Sequence, residues 1–227
     1  MAWRCLLDGE VRSRAIGAIG DIVGAAPGED RTTHGLEGAA GRACLLAYAG
    51  QAKGDEAMLE RGNELLESSV GALADGFGAP GLWGGLADVR FVLAHLVAGE
   101  EGGEALAVID DALVEVVGGA SERIDLIGGL SGIGVAALED PARGRGTELA
   151  ARVLDAIERS AHRDADGVTW FTPPQLLPDW QRDICPDGHW NLGLAHGIPG
   201  VIGFLAAMVT SEVEAARALS LLERAVP

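Results

Sequence analysis

The sequence predicts an all-α fold built from helical hairpins, on three observations. Its composition is rich in apolar and helix-favouring residues and poor in aromatics, which make up 4% of the chain, a balance that favours helix over sheet. Apolar residues recur at three- and four-residue spacing in several segments. Between these lie almost wholly apolar segments that each open on glycines, a unit that repeats with a period in the forties. The 34 glycines show no period of three, which excludes a collagen-like chain. An apolar content of 48% excludes general disorder, and 227 residues suit one domain with a sizeable core.

The polar-backed segments are 11–23, 56–73, 104–117, 147–157 and 213–222. In the second, Met58, Leu59, Leu65, Leu66 and Val70 form one stripe; in the third, Leu106, Val108, Ile109, Leu113 and Val117 do. Each reads as a helix with one wet face. The glycine-led segments are Gly38-Ala-Ala-Gly41, Gly85-Leu-Ala-Asp88, Gly129-Leu-Ser-Gly132 and Gly197-Ile-Pro-Gly200, each followed by an apolar run. A helix apolar all round must be buried, so these are expected as inner helices and the polar-backed ones as outer helices. Glycine at an inner-helix entrance allows close backbone approach and leaves N–H groups bare, so the glycine ends are expected on one side. Tight helix packing alone accounts for most of these glycines.

Residues 162–191 break the pattern. The run Thr172-Pro-Pro-Gln-Leu-Leu-Pro-Asp-Trp180 is incompatible with continuous helix. A long ordered loop in a compact domain commonly forms a wall or lid of a site. Trp170, Phe171, Trp180 and Trp190 either line such a wall or pin the loop to the body.

The formal net charge of −17 disfavours nucleic acid and anionic membranes as partners. A cationic or mixed-charge peptide fits it better, and solubility alone accounts for it too. No apolar run is long enough to span a membrane and the N-terminus has no signal-peptide core, so the chain is expected to be cytoplasmic. The odd, widely spaced Cys5, Cys44 and Cys185 argue against a disulfide framework.

Asn191-Leu-Gly-Leu-Ala-His-Gly-Ile-Pro-Gly200 contains an Ala-His-Gly-x-x-Gly string, and Asp125-Leu-Ile-Gly-Gly-Leu-Ser-Gly-Ile-Gly134 carries an aspartate ahead of a glycine motif. With Gly81-Leu-Trp-Gly-Gly-Leu-Ala87 and the segment at Gly38, these resemble, in order, the repeats of the lanthionine synthetase C-like peptide cyclases. The resemblance runs from about Gly35 to the C-terminus. It implies an α/α barrel, a toroid of two concentric helix layers. It also implies addition of peptide cysteine thiols to dehydroalanine or dehydrobutyrine, giving thioether rings. His196 then matches an acid or base and Asp125 its support. Trp180, Trp190 and Asn191 are expected to bind substrate. The implied partner is a dehydrated precursor peptide, accompanied by a dehydratase or a complementing chain.

The family's zinc ion, held by two cysteines and one histidine, activates the thiol. Those ligands lie beyond the His-Gly-x-x-Gly repeat, and this sequence reaches Pro227 without them. The expectation is a single partial domain over 1–227, an incomplete ring with no metal site or cofactor of its own and no cyclase activity alone. The alternative is a zinc-free peptide-binding module or truncated remnant. Histidine titrates near neutrality and suits protonation of the enolate that thiol attack leaves. A capping or buried structural role for His196, and a helix-dipole role for Asp125, stand beside the catalytic ones. Cys185 and His189, spaced Cys-x-x-x-His close to His196, are a weak zinc candidate. Cys44 reads as core, His34 as a cap and His95 as a core or rim residue. A glycosidase on a similar barrel would need paired carboxylates across a cleft, and no convincing pair is present.

Overall fold

The structure, a computed structural model, describes residues 6–25, 35–73, 76, 79–97, 99–119 and 123–226. The readings made for Cys5 and His34 fall outside these residues. The helices are α1 (Gly9–Ala25), α2 (Ala39–Lys53), α3 (Glu56–Ala72), α4 (Leu86–Leu96), α5 (Glu100–Gly118), α6 (Leu130–Leu138), α7 (Gly146–Ser160), α8 (Asp179–Arg182), α9 (Ile198–Thr210) and α10 (Ala215–Ala225). Short antiparallel strands β1 (His162–Arg163) and β2 (Val168–Thr169) pair with each other. Each polar-backed and glycine-led segment contains a helix, with Leu73 lying just past α3 and Val213 and Glu214 just ahead of α10, so the all-α expectation holds.

Hairpins α2–α3, α4–α5, α6–α7 and α9–α10 are the packing units, and α2 packs on α4, α4 on α6, and α6 on α9. The glycine-led helices therefore form an inner arc, backed by α3, α5, α7 and α10. Helix α6, in mid-arc, is buried at every residue but Val135. Helix α1 packs on α2 at the edge and buries no residue fully. The α2–α3 joint shows how sequence sets a hairpin. Gly54 closes α2 in the left-handed region (φ 66°), and Asp55 opens α3 by accepting from the Met58 N–H at 3.1 Å.

A buried ion pair crosses the layers. The Arg90 guanidinium on α4 donates to Asp110 on α5 at 2.6 Å and to the Ala136 carbonyl on α6, and both charged side chains are fully buried. Asp110 also accepts from the Arg145 N–H at 2.7 Å, ahead of α7. Removing one partner of such a pair strands the other and typically costs ~3–5 kcal/mol.

The four inner-helix entrances meet at one end of the arc. In three of them the first helical N–H donates to a carbonyl seven residues upstream: Leu86 to Ala79, Leu130 to Arg123 and Ile198 to Asn191. Each entrance is thus the same wide turn, residues 79–85, 123–129 and 191–197. Neighbouring turns are stitched by backbone hydrogen bonds, Trp83 to the Ile127 carbonyl and Leu126 to the Ala195 carbonyl. Glycine is required where backbones touch: a Cβ on Gly81 would lie 2.5 Å from the Gly128 Cα, and one on Gly197 2.0 Å from the Asn191 carbonyl oxygen.

Asp88 occupies the place held elsewhere by the second glycine, and the structure gives the reason. Its Oδ2 accepts from the N–H groups of Gly84 and Gly85 and, across the arc, from that of Leu36 at 3.0 Å. A Cβ on Gly35 would fall 1.9 Å from that oxygen, so Gly35 makes room for it. The side chain is fully buried and its Oδ1 has no hydrogen-bond partner among the described residues. Burial pushes the carboxyl up to about 6, against the lowering effect of the backbone donors. The protonated form therefore favours the fold, and this contribution is complete below the unfolded value near 4 and lost as pH rises through 6. The amide that Asp88→Asn puts in its place does not titrate. Urea denaturation is expected to show the stability of this variant relative to wild type rising between pH 4 and pH 7, by about 2 kcal/mol. A difference independent of pH would contradict the raised value.

Candidate functional site

The wide turn that opens α6 carries Asp125 at its third residue, and the turn that opens α9 carries His196 at its sixth. In the two sister turns the third residue is Gly81 or Gly193, and the sixth is Gly84 or Gly128. The stitching of Leu126 to Ala195 brings the two turns side by side. His196 Nδ1 consequently lies 3.8 Å from Asp125 Oδ2. That is beyond a direct hydrogen bond and close enough for the carboxylate's charge to orient the ring.

The two groups differ sharply in freedom. Asp125 is nearly buried, and its Oδ1 accepts from the N–H groups of Ile127 at 2.9 Å and Gly128 at 2.7 Å. This fixes the carboxylate and aims Oδ2 outward. The His196 side chain is 60% exposed. It stands in a cleft of ≈ 570 Å³ whose floor is Arg123, Ile124 and Asp125, and whose far wall is Phe171, Gln175, Leu177, Trp180 and Gln181. That volume suits a short stretch of peptide.

The aromatic residues of the 162–191 loop divide their labour. Trp170 is buried and its indole N–H donates to the Ile157 carbonyl at 3.0 Å, which pins the loop to α7. Phe171 lines the cleft, and so does Trp180, which is 66% exposed. Trp180 sits in the single helical turn α8 that starts just after Pro178, a turn not expected inside this proline-rich run. Proline is compatible with the residue before a helix, and the break therefore lies before α8. Trp190 does not line the cleft; it packs edge-on against Phe171 with ring centroids 4.8 Å apart. Asn191 does line it, while its side chain accepts from the Gly193 N–H at 2.8 Å.

Sequence reasoning passed over Arg123, Gln175 and Gln181, which contribute most of the remaining polar lining. A signal for Arg123 was present: aligned on the first helical residue, it takes the same turn position as Asn191. His95 lies away from this end, exposed near the C-terminus of α4, where it is hydrogen-bonded to Tyr48 and to Glu139 and stacked on Phe91. Burial pushes the Cys44 thiol up, with a further push from Glu139, so it is a poor thiolate.

Among the described residues no three His, Cys, Asp or Glu side chains gather as a metal would need. Cys185, His189 and His196 form no such set; the His189 ring faces Gln181. The described donors therefore do not fit a zinc centre. No helix among them is long and apolar enough to cross a membrane.

Residues 33–227 match the family model described as lanthionine synthetase C-like protein. Among solved structures the fold is similar to a nisin cyclase, with a TM-score of 0.72 at 20% sequence identity. The match covers 94% of this chain and 55% of that one, so the chain spans about half the length of the cyclase. No curated protein sequence matches.

The turn geometry separates two roles of Asp125. In Asp125→Ala the N–H groups of Ile127 and Gly128 lose their acceptor, and chemical denaturation is expected to show a loss of about 2 kcal/mol. Asp125→Asn keeps an oxygen for them and is expected to lose less than about 1 kcal/mol. Equal losses would mean that the charge, rather than the acceptor, holds the turn.

Proposed function

We propose, for a chain that belongs to the lanthionine synthetase C-like family, that the cleft between the Asp125 turn and the Trp180 loop holds a dehydrated precursor peptide, with His196 placed to handle the proton of thiol addition. The observation that carries this reading is the pairing of an exposed imidazole with a fixed, nearly buried carboxylate on adjacent turns of one cleft. Fixed partner and free ring are what proton transfer to a bound substrate requires.

In the addition, sulfur bonds to the β-carbon of dehydroalanine or dehydrobutyrine and the C=C electron pair moves toward the carbonyl. The α-carbon of the resulting enolate then takes a proton, and the thiol has given one up, so protons balance. His196 holds the proton bound for the α-carbon. Asp125 keeps the ring turned toward the cleft. Phe171 and Trp180 offer apolar surface beside the alkene, while Asn191 and Gln181 offer amide groups to the peptide backbone. Trp190 supports Phe171 from behind.

Thiolate formation is the unsupplied part. A free cysteine is only a few per cent ionised at neutral pH, and the described residues offer no three-donor metal set to change that. This favours a chain that binds peptide and carries the acid–base pair, with the thiolate for ring closure supplied by donors other than the described residues, such as those of a complementing chain.

The test titrates the purified chain with a dehydrated, cysteine-containing peptide, followed by tryptophan fluorescence, and then alkylates the thiols for mass spectrometry. Saturable binding is expected, about tenfold weaker in Trp180→Ala, a change of ~1.4 kcal/mol. His196→Ala should leave binding nearly intact. The peptide thiols should stay alkylatable, and elemental analysis should find well under one zinc per chain. Absence of saturable binding would remove the peptide-site reading, and rapid loss of thiols would show that the chain closes rings unaided.

A further inference from the structure

We propose that Arg123 makes this cleft a carboxylate-recognition site, selecting peptides that carry an acidic group beside the residue presented to His196. The proposal rests on the peptide-binding reading above and adds a substrate class to it. Arg123 is the first residue of the Asp125 turn, and its main-chain carbonyl is held by the Leu130 N–H at 2.8 Å. With the backbone fixed there, the side chain runs over Gly128: a Cβ at that glycine would lie 3.6 Å from its Cδ. The Arg123 side chain lines the cleft and is 47% exposed.

Its bonding state points to a missing partner. Among the described residues it makes no hydrogen bond; its one ionic contact is to Asp125 Oδ2 at 3.8 Å, too long to satisfy an N–H. Arg90, Arg143 and Arg217 each donate two or more hydrogen bonds to carboxylates or carbonyls, whereas Arg152, on the outer helix α7, shares with Arg123 the single long ionic contact; Arg123 differs from it in lining a cleft. A planar fork of N–H groups matches a carboxylate in two-point contact, and such charge-assisted bonds are about twice as strong as neutral ones. Asp125 spends Oδ1 on two backbone N–H groups and leaves Oδ2 3.8 Å from the guanidinium, so an incoming carboxylate would share Arg123 with it and take the N–H groups that Oδ2 does not reach. Arg123 is also the one Lys or Arg side chain among the described residues lining this cleft, in a chain whose net charge is −17. Long-range repulsion of acidic peptides is screened beyond roughly 8–10 Å at physiological salt, so the local cation decides at contact.

The test uses small probes first. N-acetylglutamate amide and N-acetylglutamine amide are titrated into wild type, Arg123→Gln and Arg123→Lys, following the ring resonances of Trp180 and His196 by NMR. The acid should perturb both rings in wild type, more weakly in Arg123→Lys, and not in Arg123→Gln, while the amide leaves all three unchanged. N-acetylalanine, with only a terminal carboxylate, tells a chain end from a side chain as the source. Two dehydrated peptides differing by Glu or Gln beside the dehydroalanine are then compared. The Glu peptide should bind about tenfold tighter to wild type and equally to Arg123→Gln. Equal response to acid and amide in wild type, or a response that survives Arg123→Gln, overturns the proposal. If neither peptide binds while the small acid still discriminates, the peptide reading falls and the carboxylate site stands.

Discussion

Backbone-to-backbone contact at the inner-helix entrances is the constraint on which the rest of this structure depends. Three wide turns use the same seven-residue hydrogen bond to start their helices, and neighbouring turns are joined main chain to main chain. No side chain can intervene without pushing the turns apart. Gly132 shows the tightness, since a Cβ there would sit 2.2 Å from the Leu126 carbonyl oxygen. The inner helices therefore begin at one end of the arc, and their apolar lengths have no choice but to pack against one another. The outer helices then cover what remains, each through the stripe that its three- and four-residue spacing provides.

The candidate site grows out of the same constraint. Because glycine recurs at the third, sixth and seventh positions of these turns, a side chain that replaces it there stands out chemically. Asp125 and His196 occupy places that are glycine in sister turns, and the stitch between Leu126 and Ala195 sets their separation. Asp88 is the counter-example. It too replaces a glycine, but it turns inward to hold the Leu36, Gly84 and Gly85 N–H groups, and so serves the arc rather than the cleft. An acidic residue at a glycine turn is thus not by itself a functional signal. What distinguishes Asp125 is a carboxylate oxygen left facing a cleft.

The long loop completes the site at a modest cost in order. Trp170 anchors one end through both burial and an indole hydrogen bond. With that end fixed, Phe171 and Trp180 can stay at the cleft wall, and Trp190 braces Phe171 from outside. Far from the cleft, the Arg90–Asp110 pair ties α4, α5 and α6 together without any exposed atom. Its geometry leaves Asp110 with an extra donor in the Arg145 N–H, the additional hydrogen bonding that a buried pair needs to be tolerated.

The sequence by itself determined the helical hairpins, the split into inner and outer helices, and the gathering of glycine turns. These follow from local periodicity and from glycine's lack of a side chain, both of which are written residue by residue. Its family motifs also singled out Asp125 and His196. The tertiary structure alone decided which aromatic residue pins the loop and which faces the cleft, because Trp170 and Trp180 differ in what lies opposite them and not in kind. It alone gave Asp88 its bridging role, which depends on a turn 52 residues away. It alone placed Arg123 in the cleft with its N–H groups unspent, since whether a guanidinium finds a partner is settled by contacts between elements distant in the chain. Those contacts arise only when the turns lock together, and no spacing within one segment encodes them.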